Sequence, residues 1–251
     1  MIAVILAAGL ASRLRPLTDT RPKCLLQVGE RCLLQRTIDA IRLCGIEELV
    51  LVTGYREDMI QEFVNQTYGN GNNADGKSLK VHFISNPRYN ETNNIYSLYL
   101  SGPVVRGRDF VLLDSDILFD PEVLRRVVEA PSANALALNR HELGDEEIKV
   151  IADQKGRVME ISKVCSIEKA EGESVGIEKM SATYSEALFE TLDQMIGVEG
   201  QDNVFYEKAF ERLIDKGQTF TYVDTTDAFS IELDTVEDFR MAKELIPAEL
   251  Y

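Results

Sequence analysis

Residues 1–30 read MIAVILAAGLASRLRPLTDTRPKCLLQVGE, and the fold follows from how this stretch changes character. An apolar run from Ile2 to Ala11 ends in small residues around Gly9, then gives way to Arg13, Arg15, Arg21 and Lys23. An unbroken apolar run predicts a strand buried on both faces, as in a parallel sheet covered by helices. Ala7, Ala8, Ala11 and Ser12 surround Gly9, so the turn after the strand lets backbone N–H groups approach an anion closely. Residues 1–29 carry four basic side chains against one acid, Asp19, while the whole chain carries a net charge of -15. A local cationic site on an acidic protein suits a small anion such as a phosphate.

That acidity argues against nucleic acid or an anionic membrane as partner over most of the surface. The 251 residues, 45% hydrophobic, are enough for one large α/β domain with a sizeable core. Cys24, Cys32, Cys44 and Cys165 form no CxxC pair and no metal-like spacing with His82 or His141, which predicts free thiols in a reducing cytoplasm. The apolar start is too short to span a bilayer and has no basic segment before it, so it does not read as a signal peptide.

Beyond the opening, apolar runs alternate with helical periodicity. A helix is predicted over 33–44, a strand over 47–55, a helix over 56–68, a Gly/Asn-rich loop over 69–78 and a strand over 79–86. A helix follows over 94–102, then a buried strand over 109–119 and a helix over 120–130 with Asp120 as N-cap and Pro121 in its first turn. This order implies an open, mostly parallel, Rossmann-like sheet with helices on both faces, which binds ligands at the carboxyl ends of its strands. From about residue 134 the elements shorten: strands, a hairpin at Asp153–Gly156, helices over 185–195 and 203–216, and a last helix beginning near Val236. No linker or repeat interrupts the chain. It is predicted to be a single domain of two continuous halves, 1–130 and 131–251, the second on the substrate side.

Two acid pairs stand out. In LLDSDILF, Asp114 and Asp116 lie two apart at a strand's end, where close carboxylates repel and a divalent cation resolves the repulsion. In FSIELDTVEDF, Glu232 and Asp234 are similarly spaced; Asp234 or Thr235 could equally cap the last helix, with Glu237 near the capping-box position. A phosphate cradle, cations and separated acid pairs suit phosphoryl or nucleotidyl transfer, where catalysis is mostly positioning and charge neutralisation.

The stretch from Leu6 to Lys23 resembles the signature L-A-A-G-x-G-x-R-L-x-P-x-T-x-x-x-P-K of the nucleoside-triphosphate transferases that activate sugar phosphates and related phosphate monoesters; Ala11 stands where that family often has glycine. The resemblance implies a nucleotidyltransferase fold of the glycosyltransferase-A-like kind. By position it implies that Leu6, Ala7, Ala8 and Gly9 cradle the triphosphate and that Arg13 and Lys23 hold its charge. Asp116 and Asp234 would bind Mg2+, and Asp114 would support them from behind or stiffen the strand end.

YNETNNIYSLYL (89–100) is similar to the choline-phosphate cytidylyltransferases and their relatives acting on aminoethylphosphonate. That likeness implies CTP as nucleotide, Asn93, Asn94 and Ser97 near the base or triphosphate, and room for a homodimer. Tyr96, Leu98 and Leu100 read equally as core. Lys149 and Lys163 could contact the acceptor phosphate or be exposed hairpin lysines. The chain has no tryptophan, so a cage for a quaternary ammonium would need Tyr or Phe. The rivals are a sugar-1-phosphate nucleotidyltransferase using UTP, dTTP or GTP, and a non-catalytic nucleotide-sensing module.

Overall fold

Every residue of β1 (Ile2–Ala7) is buried, and the strand feeds two cores at once. Ile2, Val4 and Leu6 join an apolar cluster on one face of the sheet. Ala3, Ile5 and Ala7 join a second cluster on the other. Successive side chains of a strand point to opposite faces, so an unbroken apolar run is what a sheet covered on both sides requires. The computed structural model describes residues 1–69 and 79–250. Apart from Gly69, the Gly/Asn-rich stretch read as a loop lies outside them.

After β1 the chain makes a long loop, a two-stranded ribbon of β2 (Gln27–Val28) and β3 (Arg31–Cys32), then α1 (Leu33–Leu43). β4 (Glu48–Thr53), α2 (Glu57–Tyr68) and β5 (Lys80–Ser85) follow, then the short helices α3 (Asn94–Leu100) and α4 (Gly102–Val105). β6 (Phe110–Asp114) returns to the far side of β1, so β5, β4, β1 and β6 form four adjacent parallel strands. The chain thus grows outward from β1 on one side and resumes on the other. That makes the carboxyl ends of β1 and β6 the switch point where open α/β sheets bind ligands. Leu6 pairs with Asp114 there, which sets the cationic loop beside the first acid pair.

The expected strand over 109–119 is two strands. β6 ends at Asp114, and β7 (Ile117–Phe119) leaves the main sheet. α5 (Pro121–Glu129) follows, with the Asp120 carboxylate accepting from the Glu122 N–H at 2.8 Å as its N-cap. β8 (Ala135–Asn139), β9 (Lys149–Ala152), β10 (Val158–Ser162) and β11 (Gly172–Met180) extend the main sheet. β11 runs antiparallel to β6 and to β8, so this half of the sheet is mixed.

α6 (Ala182–Leu192) starts ahead of its expected position because Ser181 caps it, accepting from the Tyr184 N–H at 3.3 Å. α7 (Glu207–Asp215) starts later than expected, at Glu207. β12 (Thr221–Asp224) pairs with β8, completing nine strands among the described residues.

β13 (Ser230–Glu232) then crosses back to pair antiparallel with β7, Glu232 opposite Ile117, ahead of α8 (Val236–Leu245). A third cluster gathers Leu14 and Val28 from the N-terminal segment, Leu118 from β7, and Leu233 and Phe239 from the C-terminal one. Full burial of a leucine such as Leu14 contributes about 2 kcal/mol. The cluster therefore fixes the cationic loop against the end of the chain. No helix among the described residues is long and apolar enough to cross a membrane.

Candidate active site

The loop after β1 is held by a few contacts. The Ala8 carbonyl accepts from the Tyr55 N–H at 3.0 Å, and the Thr18 hydroxyl donates to the Ala11 carbonyl at 3.0 Å. Gly54 makes the first contact feasible, because a Cβ there would lie 2.9 Å from the Ala8 oxygen. Ala11 sits in the left-handed region, φ 46° and ψ 52°, which is the backbone reason the related signature favours glycine at that position. A Cβ at Gly9, by contrast, would meet no protein atom within 4 Å. The space in front of Gly9 is the cleft.

The cleft has a volume of about 400 Å³ and opens at the β1/β6 switch point. Leu6, Ala7, Ala8, Gly9 and Arg13 line it from the first loop, and Lys23 from the turn that follows. Asn93, Asn94 and Ser97 line it from the start of α3, and Asp114 and Asp116 from the end of β6. Asp234 and Lys163 also line it, so that of the residues anticipated from sequence Lys149 alone is absent from the lining, and Glu232, Glu173 and Glu207 join it.

The β7–β13 pairing explains how the two acid pairs converge. The Leu233 N–H donates to the Asp116 carbonyl at 3.0 Å, which sets the Glu232–Asp234 segment beside Asp116. Lys23 lies between them: its ammonium is 3.0 Å from Asp116 Oδ2 and 2.6 Å from Asp234 Oδ1. Arg13 adds a second ion pair to Asp234. Burial alone would lower the Lys23 pKa, but Asp116 and Asp234 outweigh it and hold the ammonium above its ordinary value. Burial likewise works to raise Asp234, and Lys23 and Arg13 overcome it and hold that carboxylate low. Among the described residues Glu232 has no cation at ion-pair distance; burial first, then Asp116 and Asp234, pushes it well up against the opposing pull of Lys23.

Asp116, Glu232 and Asp234 each offer a carboxylate oxygen, and these lie within 4.8 Å of one another. Three hard oxygen donors in that space suit Mg2+, so the residues present fit the ion that nucleotidyl transfer uses. Asp114 is absent from this trio. It turns inward, where its carboxylate accepts from the Tyr206 hydroxyl at 2.9 Å. Burial, together with Asp116, Glu178 and Glu207, raises it well above the usual carboxylate range. The two carboxylates of the DSD turn therefore face different partners, because the strand breaks between them.

At α3, the Asn93 side chain caps the helix by accepting from the Asn94 N–H at 2.8 Å, and the Asn94 side-chain oxygen Oδ1 accepts from the Tyr206 N–H at 2.9 Å. Ser97 accepts from Asn86 at 3.1 Å, which brings Asn86 into the wall. Of the two lysines expected at the acceptor phosphate, Lys163 lines the cleft, 3.2 Å from Glu146 and 5.0 Å from the centre of the Phe205 ring.

Lys149 corrects the expectation. It is 1% exposed, does not line the cleft, and donates to the carbonyls of Lys163 at 2.7 Å and Glu147 at 3.1 Å. It ties the β9–β10 hairpin together and is neither an exposed hairpin lysine nor an acceptor contact.

The helix cap is settled as well. Thr235 caps α8, accepting from the Asp238 N–H at 3.2 Å, while Asp238 and not Glu237 closes the capping box. Asp234 is left free for the cleft. Glu232 carried a sequence signal through its spacing to Asp234. Glu207 carried none, since an acid in the first turn of a helix is ordinary.

A switch-point cleft lined by a small-residue loop, paired cations and converging acids suits nucleotidyl transfer, and the chain is similar in sequence and shape to proteins named for that chemistry. The chain belongs to the MobA-like NTP transferase domain family, whose model matches residues 3–212. It is 36% identical over 138 residues to a CMP-5'-(3-aminopropyl)phosphonate synthase of Streptomyces rubellomurinus, a match covering 55% of this chain and 20% of that much longer protein. It is 24% identical over 250 residues to the choline-phosphate cytidylyltransferase of Streptococcus pneumoniae, covering 99% of this chain and 100% of that one. A solved structure of the CTP:phosphocholine cytidylyltransferase of S. pneumoniae superposes with a TM-score of 0.79 at 23% identity, covering 98% of this chain and 99% of that one. A UDP-glucose pyrophosphorylase bound to UDP-glucose superposes at 0.76 with 15% identity, covering 97% of each chain.

Proposed function

We propose that the chain transfers a cytidylyl group from CTP to the phosphate or phosphonate oxygen of a small acceptor of the phosphocholine or 2-aminoethylphosphonate kind. The observation that carries this reading is Lys23 held between Asp116 and Asp234 at the mouth of the Gly9 loop. The half 1–130 takes the nucleotide; the half 131–251 takes the acceptor and contributes Asp234. CTP supply and four free thiols suit a cytoplasmic site of action.

In this mechanism the backbone of residues 6–9 cradles the triphosphate and holds the α-phosphorus at the switch point. Arg13 and Lys23 exchange their carboxylate partners for phosphate oxygens. The acceptor's own oxygen attacks the α-phosphorus in line, a new P–O bond forms, and the bond to the bridging oxygen breaks as pyrophosphate leaves. No protein nucleophile is needed. Lys23 stabilises the charge that develops on the α-phosphate, in a site where it is already fixed and poorly hydrated. Asp116 and Asp234, with Glu232 beside them, would hold Mg2+, which would supply neutralisation of phosphate charge. Asn93, Asn94 and Ser97 read the base edge. Cytosine offers an amino donor where uracil offers an oxygen, and the wrong base leaves a buried polar group unpaired, at about 1–3 kcal/mol.

Pyrophosphate release across a panel of nucleotides and acceptors tests the reading. With phosphocholine or 2-aminoethylphosphonate, CTP should exceed UTP at least about tenfold in kcat/KM. Faster turnover of UTP or dTTP with a hexose-1-phosphate would refute the cytidylyl assignment.

A further inference from the structure

Behind the cleft lies a group of acids that the transfer chemistry does not use. Glu207 opens α7, lines the cleft and is 7% exposed. Its Oε2 is shut off from solvent and has no hydrogen-bond partner among the described residues. Burial pushes its carboxyl up to about 7, and its own backbone N–H is the donor that faces it. Glu178 on β11 lies behind it, fully buried, with the Ser174 hydroxyl donating to one oxygen at 3.3 Å and the other oxygen unpartnered. Asp114 completes the group, bonded to the Tyr206 hydroxyl.

Among the described residues, none of these three acids has a cation within ion-pair distance, although Lys163 faces Glu207 from farther off. Nor do the three converge as metal ligands in the way Asp116, Glu232 and Asp234 do. A buried carboxylate without a cation or full hydrogen bonding is costly, and evolution rarely leaves one facing a ligand cleft without use.

We propose that Glu207 receives a primary ammonium group of the acceptor, and that the acceptor is an aminoalkyl phosphate or phosphonate and not its quaternary ammonium counterpart. This rests on reading the cleft as an acceptor site. A primary ammonium brings three N–H donors and a positive charge, which is what a buried carboxylate without a cation lacks where it meets the cleft. A trimethylammonium brings the charge without a donor. Such a group is held instead by several aromatic faces. Here the aromatic lining is Tyr89 and Phe205, and Lys163 already stands over the Phe205 ring at 5.0 Å. Tyr206, the next ring along, is fully buried and turned to Asp114.

Three acceptors on the same phosphoethyl chain separate the contributions: phosphoethanolamine, phosphocholine, and ethyl phosphate, which ends without an ammonium. Each is titrated calorimetrically into the full chain with Mg2+ and the α,β-methylene analogue of whichever nucleotide releases most pyrophosphate, or with no nucleotide where none reacts. The expected result is phosphoethanolamine binding at least tenfold tighter than either of the others. Glu207→Gln should collapse that ratio to within about threefold, with the melting temperature and nucleotide affinity unchanged. Equal or tighter binding of phosphocholine, binding of ethyl phosphate as tight as phosphoethanolamine, no binding of any acceptor, or an unchanged ratio in Glu207→Gln would each overturn the proposal. If the variant does not fold, the wild-type ratio alone decides. Failure of the cytidylyl reading shows separately, in the nucleotide preference, and leaves the ammonium ratio to stand or fall by itself.

Discussion

The Lys23 ammonium lies 2.6 Å from Asp234 Oδ1, so a single side chain joins the loop after the first strand to the segment before the last helix. The link is enclosed, with the Lys23 side chain 10% exposed. In the proposed mechanism Lys23→Ala removes the charge that stabilises the α-phosphate, and it should lower kcat by about 10² or more, as loss of one preorganised charge-stabilising donor does. It also leaves Asp116, Glu232 and Asp234 facing one another without an ammonium. The free variant should therefore melt below wild type, and Mg2+ should raise its melting temperature more than it raises that of wild type. Near-normal turnover with no difference in Mg2+ response would remove Lys23 from the chemistry.

Asp234 and Thr235 are adjacent but serve different ends. Thr235 closes the cap of α8, and the Asp234 carboxylate faces Lys23. Thr235→Ala should cost about 1 kcal/mol of stability while keeping most of the turnover, since a lost cap is a helix effect. Asp234→Asn and Asp116→Asn should each abolish Mg2+-dependent turnover at a modest cost in stability, because Lys23 keeps one carboxylate in either variant. Melting curves and an Mg2+ titration of turnover, run on all three variants, separate the roles. An Asp234→Asn enzyme with ordinary Mg2+-dependent activity would show that the carboxylate is not part of the site.

The local sequence was enough for what local physics determines. Ile2–Ala7 alternates into two cores, so its unbroken hydrophobicity encoded a strand covered on both faces. Asp120 and Pro121 marked the start of α5 because cap and first-turn preferences act over a few residues. What escaped depends on partners far along the chain. Nothing in DFVLLDSDILF says that Ile117 will leave the sheet for β13, yet that pairing separates Asp114 from Asp116 and brings Asp116 to Asp234. Lys149 looks like a surface lysine until the hairpin folds over it and offers carbonyls. Glu207 is an ordinary helix-start acid until the tertiary fold buries it.

Glu48, away from the cleft, ties three elements together and gives the fold a pH signature. Its carboxylate accepts from Arg108 at 2.6 Å and Lys80 at 3.0 Å and meets His82 Nε2 at 2.9 Å, joining β4 to β5 and to the segment leading into β6. Those bonds, Arg108 first, hold the carboxyl well below its usual value near 4.5. A depressed folded-state pKa stabilises the fold fully above the unfolded value, and that contribution fades as pH falls from about 4.5 toward the folded one. Partial solvent exposure screens the pairs, so Glu48→Gln should cost about 1 kcal/mol near pH 7, roughly 2–4 °C in a chain of this size. Melting wild type and variant between pH 7 and pH 3 checks the sign. The gap should hold down to about pH 5 and narrow steadily below 4.5. A gap of the same size at pH 3 would mean that the side chain acts by packing and not by charge.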